Sequence, residues 1–218
     1  MTSKRTGKLV VAFLMFAASE ADAGAKKPSA VQIQASIFGL VMEQATFADA
    51  QGLLGPAEVR DNGGDAAASA YFACYLGPDG TTLILEANSE HGGGLQHGTR
   101  VITSFQLLES QKLADFSSGT DFTPPVEARP KCASMPRLTR AVRTGAGLRL
   151  GMRRPEVVRL LGREPNRSSE TEGQFVLDDK ARPVREPGSA IEYPSAWITL
   201  NFERGRVVAI RVAYSSMI

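Results

Sequence analysis

At 218 residues, of which 43% are hydrophobic, the chain is long enough to bury one substantial core or two small ones. Its formal net charge is only +2, and its basic residues are spaced between apolar ones rather than clustered. A nucleic-acid-binding protein needs a clustered basic face to neutralise phosphates. The composition therefore argues against a nucleic-acid partner.

Residues 1–23 have the organisation of a secretory signal peptide. Basic residues come first, an apolar stretch follows at 9–18, and Ala21 and Ala23 form an A-x-A cleavage site. The apolar stretch is about half the roughly 20 residues that a membrane-spanning helix needs, which favours cleavage over the alternative of a retained anchor. No cysteine stands at the cleavage site to carry a lipid. We expect cleavage near Ala23, a periplasmic or secreted protein, and membrane association only through a partner.

Two stretches of the chain share one pattern. At 148–165 an extended start leads through Gly151 into a short helix that closes in Leu-Leu-Gly, with Pro165 beyond it. At 41–56 a second helical pattern closes in the same Leu-Leu-Gly, again followed by a proline. Glycine at a C-cap and proline after it are typical of a helix end. We therefore predict an α+β fold of two tandem repeats, each a short helical segment packed on a small antiparallel β-sheet.

This prediction divides the chain into four parts. After the signal peptide, the first repeat spans residues 24–109 and the second spans 137–218. Residues 110–136 between them are rich in proline, which removes backbone donors and disfavours helix. We predict that this stretch is a connection.

The first repeat reads as one helix followed by three strands. Thr46 and Asp49 have the spacing of a capping box, and Phe47, Ala50 and Leu54 form the apolar stripe of the helix that follows. Alternating apolar residues predict strands at 71–75, 81–87 and 101–107.

The second repeat has the same order. Val157, Leu160 and Leu161 fall on one face of its helix, and Gly162 stands at the C-cap. A short strand or a turn is expected at 174–177, and strands at 190–193, 197–202 and 207–214, the last two joined by a tight turn at 203–206. A further hairpin is expected between 137–142 and 147–150, and loops at 57–68 and 166–173.

Strand alternation separates the two faces of the second sheet. The core face carries Ile198, Leu200, Phe202, Val208, Ile210, Val212 and Tyr214. The opposite face carries Trp197, Thr199, Asn201, Val207, Ala209, Arg211 and Ala213. Tryptophan and arginine dominate binding energies at interfaces, so we predict that Trp197, Thr199, Asn201 and Arg211 bind a partner. Two alternatives stay open: the face packs on the other repeat, or Trp197 covers the edge of its own core.

Both cysteines, Cys74 and Cys132, follow the predicted cleavage site, and an oxidising compartment favours a disulfide between them. Two free buried thiols are an alternative. A thiol nucleophile is another, although it would need a general base and both histidines lie in one glycine-rich stretch.

Few residues suggest other chemistry. His91 and His97 with Glu90 resemble metal ligands, but their spacing matches no zinc pattern and glycines separate them. The pairs Asp178-Asp179 and Glu170/Glu172 are typical of solvated loops. We therefore predict no metal, no cofactor and no catalytic residue.

Two motifs carry a family resemblance: Leu-Leu-Gly-x-x-Pro at 160–165 and Asn-Phe-x-x-Gly-x-Val at 201–207. Together they resemble the small envelope modules of the SmpA/BamE type, an outer-membrane β-barrel assembly lipoprotein fold that the β-lactamase inhibitory protein contains as a tandem pair. The resemblance covers 148–214 and, more faintly, 41–107. It implies a helical segment on one face of a small antiparallel sheet, and function by protein–protein contact. The chain departs from the assembly lipoprotein in lacking its lipid-carrying cysteine.

We therefore expect an exported, non-enzymatic binding or envelope-scaffold protein that contacts a protein partner in the cell envelope through an exposed sheet face. Two other functions stay open: a hydrolase with its site in the cleft between the repeats, and a carrier of a small ligand or lipid. The sequence carries no signal for a particular oligomeric state.

Overall fold

One large antiparallel sheet dominates the computed structural model of this protein, which describes residues 28, 30–61, 69–89, 100–116, 129–178 and 193–217. With its few helices, the sheet confirms the predicted α+β class. The predicted signal peptide at 1–23 lies outside the described residues.

The α-helices of the described chain are α1 (Ala30–Gln34), α2 (Phe47–Leu54) and α3 (Arg154–Leu161), and a short 3₁₀ helix lies at Gln111–Leu113. The predicted capping box starts α2: the Asp49 amide donates to Thr46 Oγ1 at 3.2 Å, and Asp49 Oδ2 accepts from the Thr46 amide at 2.8 Å. Phe47, Ala50 and Leu54 are all buried, as the stripe predicts. No helix in this part of the chain is both long and apolar enough to cross a bilayer.

The apolar side of α3 contributes less to the core. Val157 is fully buried and Leu161 is half-buried, whereas Leu160 is 43% exposed. Leu160 lies against the neighbouring turn at Gly147. The helix ends as predicted at Gly162, whose φ of +66° is left-handed and favours glycine.

Eleven strands follow from the described residues: β1 (Ser36–Ile37), β2 (Leu40–Val41), β3 (Val59–Asp61), β4 (Ser69–Leu76), β5 (Thr82–Ser89), β6 (Ser104–Leu108), β7 (Ala133–Ser134), β8 (Arg167–Ser168), β9 (Glu172–Asp178), β10 (Tyr193–Glu203) and β11 (Arg206–Met217). The first two form a small hairpin. The other nine form one sheet in the order β3-β4-β5-β6-β11-β10-β9-β8, with β7 added parallel to β4.

The two halves of the chain meet in the middle of this sheet, where Phe105 of β6 lies opposite Val212 of β11. In each half a helix precedes four strands that run in chain order from an edge of the sheet to its centre. We predicted a small sheet for each half, whereas the strands of both halves join in one sheet. The division into two repeats stays a prediction.

Three local predictions were wrong. The edge strands β3 and β8 form within 57–68 and 166–173, where loops were expected, because strands of three and two residues are too short to show alternation. The hairpin between 137–142 and 147–150 does not form. That segment makes turns instead, in which the Thr144 amide donates to the Leu148 oxygen at 2.9 Å.

A β-bulge changes the face assignment near the β10–β11 turn. The register shifts between Asn201 and Phe202, so Phe202 lies opposite Val207 rather than Val208. We predicted Val207 on the exposed face and Val208 in the core. This was wrong because the extra residue of a bulge reverses the alternation beyond it. Val207 packs in the main core.

The main core lies between the helices and one face of the sheet. It unites Phe47 of α2 and Val157 of α3 with sheet residues such as Leu85, Phe105 and Ile198. Because these residues come from both halves of the chain, the two halves share one hydrophobic core.

The connection covers part of the opposite sheet face. We call its described residues, 110–116 and 129–136, the strap. The Phe116 ring of the strap packs edge-on against Phe72 of β4, with ring centroids 5.3 Å apart. Ile84 and Leu108 join them in a second, smaller core. The strap therefore buries this face mainly over the first half of the sheet.

A disulfide fixes the strap at the sheet edge. Cys74 of β4 is bonded to Cys132, with Cα atoms 4.3 Å apart, and neither cysteine is free. Ala73 pairs with β3 and Tyr75 with β7, so Cys74 lies between the two strands that cover this edge of β4.

Candidate functional site

The four predicted binding residues lie together on the sheet face opposite the main core. Trp197, Thr199 and Asn201 alternate along β10, and Arg211 of β11 lies opposite Thr199. All four side chains are half-buried. We call this set of four residues the β10 face.

The neighbouring strand β9 extends the β10 face. Val176 lies opposite Trp197, and Gln174 lies opposite Thr199, both half-buried. On the other side of Trp197, Ala213 of β11 is exposed. Val176 and Gln174 were not predicted as face residues, because 174–177 was expected to form a short strand or a turn. The alternation of the face residues with buried Phe175 and Leu177 was the available signal.

Arg211 connects the β10 face to the strap. Its Nη1 donates to Asn201 Oδ1, and its Nη2 donates to the main-chain oxygen of Leu113 at 2.9 Å. Both terminal nitrogens are therefore engaged within the protein. Arg211 therefore positions Asn201 and the strap.

A polar row crosses the sheet in register: Gln106, Arg211, Thr199 and Gln174. Its inner half holds the strap, because Gln106 bonds both the amide and the carbonyl oxygen of Asp115. Its outer half, Thr199 and Gln174, lies beyond the strap. Gln106 and Arg211 therefore hold the strap, whereas Thr199 and Gln174 form accessible surface.

A shallow groove of about 300 Å³ lies at the end of the β10 face that is nearest the β10–β11 turn. Asn201 and Arg211 line it from the face, and Leu113 lines it from the strap. Val208, which the bulge displaces from the core pattern, also lines it.

A second groove of about 530 Å³, which we call the turn groove, lies beside the same turn. It is lined by Glu109, Arg140, Leu150, Gly151, Glu203, Arg204, Arg206, Val207 and Val208. Glu203 and Val208 line both grooves, so the two are neighbours.

Several ionisable groups outside the grooves have shifted pKa values with structural causes. Hydrogen bonds from the amides of Thr46 and Arg153 hold the pKa values of Asp49 and Glu156 below their usual range. Burial raises the pKa of Tyr75 to about 12. The two carboxylates cap helices, and Tyr75 lies in the main core.

Of the residues considered as metal ligands or acid–base pairs, Glu170, Glu172 and Asp178 belong to the described chain, and the two glutamates line neither groove. Glu90, His91, His97 and Asp179 lie outside the described residues. Within the described ranges, no group of three or more His, Cys, Asp or Glu side chains is suited to hold a metal ion. Glu170 is exposed at the surface, as is Glu172.

The residues that carry the family resemblance lie at two points of the second half. Gly162 closes α3, and Asn201, Gly205 and Val207 surround the β10–β11 turn. Comparison of the chain with protein-family models, with curated proteins and with solved structures finds no match.

Proposed function

We propose that this protein is an exported, non-enzymatic binding or scaffold protein of the cell envelope, which docks a protein partner on the β10 face. One observation carries the proposal: the strap divides a single sheet face. Phe116 and Cys132 cover its first half, whereas Trp197 and Thr199 lie beyond the strap and are half-buried.

The chemistry of the β10 face suits a protein contact. Trp197 has apolar neighbours on both sides, Val176 and Ala213, and polar Thr199 and Gln174 follow one row further along the strands. An apolar centre with polar surroundings is typical of protein interfaces, and tryptophan is enriched among their strongest contacts.

The proposal includes the duplication and the family resemblance. What supports the duplication is the order of elements, since α2 precedes β3 to β6 as α3 precedes β8 to β11. What supports export is the leader-like pattern at 1–23 together with the Cys74–Cys132 bond, which suits an oxidising compartment. We place the protein in the periplasm or outside the cell, with cleavage near Ala23.

The protein interior gives less support to a ligand or lipid carrier. Phe47, Phe105 and Phe175 are fully buried in the main core between helices and sheet. Side chains thus fill the space that a carried molecule would need.

Affinity capture from the native compartment tests this proposal. We would compare the wild type with Trp197→Ala and Thr199→Arg, which remove the aromatic anchor or place a bulky charge on the face. The matched control is Arg159→Ala, an exposed position on α3. We expect the protein captured by the wild type to be lost from both face variants and kept by the control. Undiminished capture by folded face variants would contradict the proposal.

A further inference from the structure

The turn groove has a buried apolar floor and a charged rim. Leu150, Val207 and Val208 form the floor, each 5% exposed or less. The rim includes Glu203 and Arg206, both exposed. This distribution, apolar below and ionic above, is typical of a binding groove.

Backbone hydrogen bonds hold the floor in place. The Gly151 amide donates to the Val207 oxygen at 2.8 Å, and the Val207 amide donates to the Met152 oxygen at 2.9 Å. On the other side, the Glu109 amide donates to the Val208 oxygen at 2.8 Å. The groove is therefore formed before any ligand arrives.

Arg204 occupies a backbone conformation that disfavours it. Its φ is +48° and that of Gly205 is +71°, so both central residues of the β10–β11 turn are left-handed. Such turns favour Asn, Asp or Gly, because a left-handed backbone is costly for most residues with a Cβ atom. A strained arginine thus lines the groove, and strain of this kind concentrates at functional positions.

The rim has a small excess of positive charge, because Arg140, Arg204 and Arg206 line the groove with only two carboxylates, Glu109 and Glu203. Arg140 is paired with Glu109 at 2.5 Å, which uses the Glu109 carboxylate. Arg206 donates to the Gly151 oxygen at 3.0 Å, and its charge also acts on the nearby carboxylate of Glu156. No described residue accepts a hydrogen bond from the guanidinium of Arg204. Guanidinium groups pair with carboxylates through two parallel hydrogen bonds, so this rim suits an acidic ligand.

We propose that the turn groove binds an extended acidic segment of a partner protein, with carboxylates at Arg204 and Arg206 and an apolar side chain on the floor. The volume of about 530 Å³ exceeds what a single carboxylate fills, and the apolar floor favours a peptide with alternating acidic and apolar side chains. This inference does not depend on the β10 face.

Fluorescence anisotropy of a labelled peptide of alternating Glu and Leu, titrated with the purified protein, tests this proposal. Arg204→Asn and Arg204→Gln both remove the charge, but only asparagine suits the left-handed turn. We expect each variant to weaken peptide binding by about fivefold or more, because a charge-assisted pair is lost. We also expect Arg204→Asn alone to raise the melting temperature. Arg204→Lys should keep part of the affinity.

Arg159→Gln removes an exposed arginine of α3 that lines neither groove, and it should leave peptide binding unchanged. The proposal is overturned if both Arg204 variants bind as the wild type does, or if Arg159→Gln weakens binding equally. Failure of the wild type to bind the peptide also overturns it, including the case in which anionic phospholipid vesicles bind instead.

Discussion

Arg211 Nη2 donates to the main-chain oxygen of Leu113 at 2.9 Å, which joins β11 to a residue 98 positions earlier in the chain. This bond lies at the boundary between the covered and the exposed part of one sheet face. On one side, Phe116 packs on Phe72 beneath the strap. On the other side lies Trp197. The position of the proposed docking surface therefore follows from where the strap ends.

Arg211→Met tests this boundary. Methionine keeps much of the length of the side chain but leaves the Leu113 oxygen and Asn201 Oδ1 without their donor. We expect a loss of about 2 kcal/mol in the free energy of unfolding, measured by urea denaturation, since hydrogen bonds from charged groups contribute about that much. Amide exchange at Leu113 and Ala114 should accelerate. Unchanged stability and exchange would show that Arg211 does not hold the strap.

Replacement of both cysteines, Cys74→Ala with Cys132→Ala, should destabilise the protein strongly. The bond joins residues separated by 58 positions, and closure of a loop of that length contributes about 4 kcal/mol on the chain-entropy model. Calorimetry should show a large fall in melting temperature, matched by reduction of the wild type. Reductant should not affect the double variant. A small effect of replacement would mean that the other strap contacts suffice.

Two glycine substitutions should have opposite effects. A Cβ atom at Gly77 would fall on the main-chain oxygen of Leu138, so Gly77→Ala should destabilise by about 2 kcal/mol or more. Gly52 lies in α2 with open space around it, so Gly52→Ala should stabilise by about 0.5–1 kcal/mol through helix propensity. Thermal denaturation of the two variants compares them directly. Effects of the same sign would contradict the described packing around these residues.

The stability contribution of Asp49 should depend on pH. Its pKa is lowered in the folded protein from an ordinary value of 3.8, by hydrogen bonds from Thr46. A carboxylate with a lowered pKa stabilises the fold above its unfolded pKa, and this contribution disappears as the pH falls through the folded pKa. Asp49→Ala should therefore cost about 0.5–1 kcal/mol at neutral pH and less near pH 2.

Thr46→Ala is the control for this pH dependence. The Thr46 hydroxyl accepts from the Asp49 amide at 3.2 Å, which does not depend on pH, and donates to Asp49 Oδ2 at 2.7 Å, which does. Its removal should therefore destabilise at both pH values, and by less at low pH. Denaturation curves at the two pH values give both differences. If the cost of Asp49→Ala were the same at low pH, its carboxylate charge would not be the source of the stabilisation.

Local rules predicted much of the secondary structure. The capping box of Thr46 and Asp49 depends only on residues that are near in sequence, as does the glycine C-cap at Gly162. Alternation likewise predicted the second strand of the first repeat, where Leu83 and Leu85 of β5 lie in the main core. These features were predictable because caps depend on residue types within one turn of helix, and strand faces follow from a repeat of two residues.

The features that were missed depend on pairing between distant segments. The pairing of β6 with β11, which joins the two halves, leaves no pattern in the local sequence. The short strands β3 and β8 form only by pairing with β4 and β9. The bulge that turned Val207 inward is set by cross-strand register. Arg211 was predictable as a face residue, but its engagement with Leu113 required the strap to be placed.

Photocrosslinking in cells tests most directly whether the β10 face is the docking surface. A photoreactive amino acid would replace Thr199 on the face and, in a matched control, Arg159 on α3, followed by identification of crosslinked proteins. We predict that position 199 gives a crosslink to one defined protein and that position 159 gives no crosslink to that protein. No adduct from position 199, or equal yields from both positions, would contradict docking at the β10 face.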